Sequence, residues 1–410
     1  MTIDRQACAE RDDRDPLAFA RERFQLPPGV IYLDGNSLGA LPKAVRPRVE
    51  DVVAREWGQD LIASWNTAGW YEAPGRTGAK LARLLGAKPT EVTIADTISV
   101  NLFKLLVAAC RPRPDRREIL AEAGNFPSDN HVVESVARML GLRTRFVPAS
   151  EIAAAVGPDT AVVTLSHVNY RSAAMEDMAA VTAAIHASGA LSVWDLAHSS
   201  GAVLLDLDGA GADFAVGCGY KYLNGGPGAP SHVFVAERHQ AAFDQPLQGW
   251  FGHAEPFRFD DGFVRAPGIR AALCSTPPVL SLLAFEAALD AFDGIEMRDL
   301  AAKGRALCDL FAALADEKLE RLCVTLASPR DGERRGSHVS LRHPEAFGVV
   351  RALIARGIVG DFRAPDAMRF GFAPLYIRFV DVWDAVAAMA DVIEGEAWRD
   401  LPPVEAGAVT

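Results

Sequence analysis

Lys221 stands in Val216-Gly217-Cys218-Gly219-Tyr220-Lys221-Tyr222-Leu223-Asn224-Gly225-Gly226, an apolar, glycine-rich run with no obvious partner for a cation. Unpaired buried lysines are rare, so chemistry is the better reading of this one. Burial disfavours the ammonium and lowers its pKa, which makes the amine a usable nucleophile toward an aldehyde. A second anomaly, Asp195 with His198, closes the apolar run Leu191-Ser192-Val193-Trp194-Asp195-Leu196-Ala197-His198. A buried carboxylate and a buried amine point to one site.

Pyridoxal phosphate is an aldehyde that such an amine can hold. It also requires an acid facing its pyridine nitrogen, an anion site for its phosphate and a flat group against its ring. Asp195 supplies the acid, its burial offset by a pyridinium charge, with His198 to orient it. Asp96-Thr97-Ile98-Ser99-Val100-Asn101 places capping residues before an apolar helical run, leaving free N–H groups and the Ser99 hydroxyl for an anion. Phe126 has a face to stack on the ring, and Asp129 follows three residues later to reach its polar edge. Each residue alone also has an ordinary reading: a strand-end Asp caps a turn, Thr97 and Ser99 cap a helix, Phe126 fills a core, and His131, His167 and His253 are satisfied histidines. The combination carries the argument.

These residues need strand ends to hold them. From about Thr90 onward, short β-rich runs alternate with amphipathic stretches, the pattern of a mainly parallel sheet flanked by helices. Strands are expected at Glu91–Ala95, Glu118–Ala121, Thr144–Val147, Ala161–Ser166, Leu191–Trp194, Phe214–Gly217 and His232–Ala236. Helices are expected at Val100–Cys110, Asn130–Leu140, Met178–Ala187 and Val279–Phe292. In open α/β sheets ligands bind beyond the carboxyl ends of the strands, where all the anomalous residues fall. The fold class is therefore α/β: a large domain with a mainly parallel seven-stranded sheet, plus a smaller α+β domain built from the N- and C-terminal segments. The expected divisions are 1–51 packing on the small domain, 52–284 as the large cofactor-binding domain and 285–410 as the small one, with a late strand pair near Cys323–Leu326 and His338–Leu341.

The chain has 410 residues, half of them hydrophobic and 23% charged, enough for two packed domains in one subunit. A net charge of −11 disfavours nucleic acid and anionic membrane as partners and leaves a small soluble substrate. The six cysteines, at 8, 110, 218, 274, 308 and 323, show no metal-binding spacing, so no metal is expected and a reducing cytoplasm fits. The first residues, Met1-Thr2-Ile3-Asp4-Arg5-Gln6, lack the apolar core of a secretory leader, and no run is apolar enough to span a membrane.

Seven stretches together resemble the kynureninases, within the aspartate-aminotransferase-like, fold type I group of pyridoxal phosphate enzymes. They are Tyr32-Leu33-Asp34-Gly35-Asn36-Ser37-Leu38-Gly39, Ser99-Val100-Asn101-Leu102, Asn125-Phe126-Pro127-Ser128-Asp129, Asp195-Leu196-Ala197-His198-Ser199-Ser200-Gly201, Gly219-Tyr220-Lys221-Tyr222-Leu223-Asn224, Gly249-Trp250-Phe251-Gly252 and Pro374-Leu375-Tyr376. The resemblance implies hydrolysis of L-kynurenine, or 3-hydroxy-L-kynurenine, to the anthranilate and L-alanine, in tryptophan catabolism or NAD biosynthesis. It implies that Lys221 binds the cofactor covalently and then acts as base, with Asp195 on the pyridine nitrogen and His198 supporting it. Tyr220 touches phosphate and passes protons. Ile98 and Ser99 hold the phosphate, and the stretch Phe126, Pro127, Ser128 and Asp129 lies along the ring. Trp250 and Thr276 complete the phosphate site from the second subunit of a homodimer with active sites at the interface. Arg369 is the choice for the substrate carboxylate with Arg378 as rival, and Asn36 and Trp65 line the substrate pocket. Competing readings on the same fold are a cysteine desulfurase or selenocysteine lyase, an aminotransferase, and an inactive binding relative. A desulfurase needs a mobile late cysteine, whereas Cys323 is expected inside a strand and Cys308 inside a helix.

Overall fold

The computed structural model describes residues 3–259 and 261–402. Seven strands form one sheet in the spatial order Val92–Ala95, Ser231–Val235, Phe214–Cys218, Leu191–Asp195, Thr160–Ser166, Glu118–Glu122, Arg143–Val147. Six run parallel; Ser231–Val235 is antiparallel to both neighbours. The expected α/β architecture is borne out, each strand found within a residue of its expected bounds. Every strand but Arg143–Val147, at one edge of the sheet, is buried along its length because helices cover both faces, as a parallel sheet requires. Ile98–Cys110 and Pro127–Leu140 pack against each other over one face, while Ala73–Leu85 packs on Val92–Ala95. Gly78 makes that last contact possible, since a Cβ there would lie 2.3 Å from the Val92 carbonyl oxygen.

A second, antiparallel sheet takes the order Thr325–Leu326, His338–Arg342, Ala367–Gly371, Asp361–Arg363. The expected strand pair is its first half; the second half was missed because Asp361-Phe362-Arg363 and Met368-Arg369-Phe370 are short and carry charges. Their alternation has a reason. Met368 and Phe370 join the core while Arg369, between them, points elsewhere. Cys323 corrects its expectation: it is exposed, in a left-handed turn with φ 60° just before the strand.

The N-terminal segment is built into this second layer. Its Arg5–Asp12 helix packs on Phe379–Glu394, Ile31–Tyr32 pairs in parallel with Ile358–Val359, and Asp34 bridges to Gly371. It also reaches the first sheet, where Gly39 donates its N–H to the Tyr220 carbonyl at 2.8 Å. A side chain at Gly39 would lie 2.3 Å from the Lys221 carbonyl oxygen, so glycine is required for this approach. Among the described residues no helix is long and apolar enough to cross a membrane.

His232 sits within the large sheet with Nε2 2.9 Å from Ser200 Oγ, and burial pushes its pKa down from 6.5 to about 3. Below pH 6.5 the unfolded chain gains a proton that the folded one refuses, so this residue lowers stability as the pH falls through that window. Urea unfolding of the cofactor-free protein at pH 6.5 and at about two units lower should show His232→Gln flattening the slope by up to about 1.4 kcal/mol per pH unit. An unchanged slope would contradict the buried neutral imidazole.

Candidate active site

The carboxyl ends of the parallel strands surround a cavity of about 630 Å³. Lys221 enters it from the turn after Phe214–Cys218. That turn needs Gly219, where a Cβ would lie 2.7 Å from the Pro230 carbonyl oxygen, and Asn224 in the left-handed region at φ 59°. The lysine is half-buried because it opens on the cavity, and its Nζ lies 2.9 Å from His198 Nε2. Burial holds the amine below the ordinary lysine value, opposed by Cys218 and Asp195. Among the described residues Lys221 makes no ion pair. Two other lysines are buried and differ in this respect: Lys104 bonds Asp96 and the Ala272 carbonyl, each at 2.7 Å, and Lys303 pairs with Asp15 at 2.6 Å.

Asp195 is the last residue of its strand, its Oδ1 taking the Ala197 N–H at 2.6 Å. Asp129, in the first turn of Pro127–Leu140, lies against it, and Asn125 donates to Asp129 at 3.3 Å. Burial raises both carboxyls, and the charge of Asp195 raises Asp129 further, so Asp129 holds a proton more readily than Asp195. His198 is placed on Lys221 rather than on Asp195, whose near oxygen is taken by the backbone; burial and the Lys221 charge hold the imidazole well below its usual pKa. With Nε2 accepting from the amine, its proton sits on Nδ1, which has no partner among the described residues.

The anion end is a helix N-terminus. Asp96 has φ 40°, an uncommon value for a residue with a side chain, and it turns the chain so that Thr97, Ile98 and Ser99 face the cavity. Thr97 makes no side-chain cap, so the first-turn N–H groups of Ile98–Cys110 are available to an anion. Asp96 does not cap either, because its carboxylate is turned to Lys104. Phe126 and Ser128 form part of the wall; Phe126 is 46% exposed despite its size and meets Tyr170 edge-on at 5.3 Å.

Arg369 and Asn36 join the cavity from the other layer. Asn36 is fully buried, both amide atoms lack partners among the described residues, and it lies so close to Gly371 that a Cβ there would be 1.9 Å from its Oδ1. Arg369 is 2% exposed. Arg378 is remote: it caps Phe379–Glu394 through Asp381 at 2.6 Å and lines a different surface groove. Pro127 starts its helix and does not line the cavity. Trp65, Trp250 and Thr276 do not line this cavity either; Trp250 Nε1 donates to Thr276 Oγ1 at 3.3 Å, and Trp65 stands 6.5 Å from Trp250 in a separate aromatic patch. The segment is folded on itself, as a Cβ at Gly249 would lie 2.0 Å from the Cys274 carbonyl oxygen. Two residues that the sequence reading passed over, Ser37 and Arg363, do line the cavity. Ser37 was in a quoted motif without a role; for Arg363 the i, i+2 spacing from Asp361 was the available signal.

An amine, a buried carboxylate pair, a helix N-terminus and a half-exposed aromatic around one cavity fit pyridoxal phosphate. Solved structures support the fold: the apo cysteine desulfurase of Thermococcus onnurineus NA1 superposes with a TM-score of 0.78 at 18% identity, covering 92% of this chain and 98% of that one. A C-DES mutant with glycine covalently linked to its pyridoxal phosphate gives 0.80 at 16% identity, covering 90% and 99%. Fold and pocket together define a pyridoxal phosphate-dependent enzyme. A kynureninase of Burkholderia mallei (strain SAVP1) is 50% identical over 403 residues, spanning 96% of this chain and 97% of that one, a kynureninase of Pseudomonas fluorescens is 48% identical over 401 residues, 96% of each, and the model of the kynureninase C-terminal domain matches residues 300–389. The chain belongs to the kynureninase family.

Lys221→Ala should abolish covalent attachment of the cofactor. Borohydride reduction of the wild-type holoenzyme followed by peptide mapping should place the label on the Lys221 peptide; a label on Lys104 would refute the assignment.

Proposed function

We propose that the chain hydrolyses L-kynurenine at the Cβ–Cγ bond, consuming water and yielding anthranilate and L-alanine. The observation that carries this reading is the unpaired Lys221 amine opening on a cavity that also holds Asp195, the Ile98 helix N-terminus and Arg369. The bound cofactor supplies an electron sink for negative charge at the substrate carbons. Lys221, its pKa lowered by burial, is placed to take the α-proton, and neutral His198 aligns it by accepting its hydrogen bond. Asp195 is the residue to face the pyridine nitrogen, anchored by the Ala197 N–H. Cys218 and burial raise the phenol of Tyr220, so it stays protonated at neutral pH and serves as donor toward Cβ. Ile98 and Ser99 would hold the phosphate, Phe126 the ring face, and Arg369 the substrate carboxylate.

The same reading includes the domain division at 51 and 284, a cytoplasmic location and a homodimer. Exposed Trp57, Leu61, Ile62, Phe257, Phe259 and Val264 support a second copy covering that face and bringing Trp250 and Thr276 to its partner's phosphate end. Against a desulfurase, Cys308 is buried within Met297–Leu319, and neither it nor the exposed Cys323 lines the cavity.

Hydrolysis of L-kynurenine, followed by anthranilate fluorescence, tests the reading; release of persulfide from cysteine without anthranilate would replace it. Asp195→Asn should retain cofactor yet lower kcat by roughly 10²–10⁴-fold, the range of a lost proton-handling group. Arg369→Gln should raise KM roughly 10- to 100-fold, while Arg378→Ala leaves it within about twofold. Equal effects from both arginines would remove Arg369 from the carboxylate site.

A further inference from the structure

Arg369 has few donors left to give. Its Nε donates to Asp361 Oδ1 at 2.9 Å, its Nη2 donates to Asp361 Oδ2 and to Ser37 Oγ at 3.0 Å, and its Nη1 donates to the Tyr170 carbonyl oxygen at 2.6 Å. A guanidinium carries five N–H bonds, so one on Nη1 remains. A bidentate grip on a carboxylate needs two parallel N–H donors. Arg369 by itself cannot provide them without releasing a partner.

Arg363 lines the same cavity. It follows Asp361 by two residues on the strand that pairs with Arg369's, so Asp361 and Arg363 project to one face. Its side chain is 31% exposed; it forms an ion pair with Asp361 Oδ2 at 2.8 Å and donates weakly to the Phe362 carbonyl at 3.3 Å. Even with one N–H turned to Asp361, three of its five N–H bonds are free among the described residues. Asp361 is fully buried and serves as counter-ion to both guanidiniums, so one negative charge holds two positive ones and the surplus faces the cavity. Asp34 cancels only part of that surplus at neutral pH, as burial and Asp361 push its carboxyl up to about 7. The phosphate end already has the helix N-terminus, leaving the second guanidinium for the substrate.

We propose that Arg363 is a second substrate-binding residue, which shares the α-carboxylate of the amino-acid substrate with Arg369 while Asp361 fixes the pair. The inference rests on the kynurenine-hydrolysing reading. It is tested on the holoenzyme and its Arg363→Gln and Arg363→Lys variants with three probes: L-kynurenine by KM, and L-alanine and kynuramine, which is kynurenine without its carboxylate, by competitive inhibition and by the spectral change of the bound cofactor. Arg363→Gln should weaken L-alanine and L-kynurenine roughly 10- to 100-fold, as for loss of a charged hydrogen bond, and change kynuramine less than about twofold. Arg363→Lys, which keeps the charge but not the planar fork, should fall between wild type and Arg363→Gln on the carboxylate probes alone, and it carries the same comparison if the glutamine variant does not fold. Parallel weakening of alanine and kynuramine, or no change in either, overturns the proposal. A wild-type enzyme that fails to hydrolyse kynurenine overturns the function instead, and the spectral comparison of alanine with kynuramine still reads Arg363.

Discussion

The site depends on keeping one enclosed amine from pairing off. Lys104 and Lys303 show what happens to buried lysines elsewhere in this chain: each has its carboxylate. Lys221 is denied one although two carboxyls stand nearby. Asp195 is tied to the Ala197 N–H, Asp129 lies against Asp195, and neutral His198 occupies the amine's hydrogen-bonding reach. An amine left in this state is lowered in pKa and available to an aldehyde. Its cost in stability is offset by the surrounding sheet, whose strands at this point are buried on both faces.

The same enclosure forces two layers to meet. The large sheet supplies the amine, the acid and the anion end, and the four-stranded sheet supplies arginines, yet neither closes the cavity alone. The N-terminal segment joins them at Gly39, which touches the Lys221 backbone, and at Asn36, which is seated on Gly371. His338 of the small sheet lies against His198 with the rings tilted, their centroids 5.3 Å apart. A fully buried ion pair such as Arg369–Asp361 is weak support for stability in general, but removing one partner leaves a charge uncompensated, so it holds geometry. Here the geometry held is the direction in which two guanidiniums face the cavity.

Much of this was legible in the chain. Strand positions followed from apolar runs between helical stretches, since a two-face-buried parallel strand has no polar alternation to disguise it. Lys221, Asp195 and Ser99 were conspicuous because their neighbours are apolar or cap-like. The second half of the small sheet was not legible: Asp361–Arg363 is three residues long and polar at both ends, and it becomes a strand only by pairing with Ala367–Gly371. Cys323 misled for the converse reason, as the apolar run around it continues past a left-handed turn that no local residue demands.

By itself, then, the sequence determined the order of elements, the candidate site residues at the strand ends and the membership of the family, because these rest on local composition and on motifs contiguous in the chain. The tertiary structure alone decided which arginines face the cavity. Arg369 and Arg378 both flank the Pro374-Leu375-Tyr376 motif along the chain, but strand parity and the register with Asp361 turn one inward, while the start of a helix and Asp381 hold the other at the surface. Register between strands is set by packing across the fold, so it could not be read from neighbours along the chain.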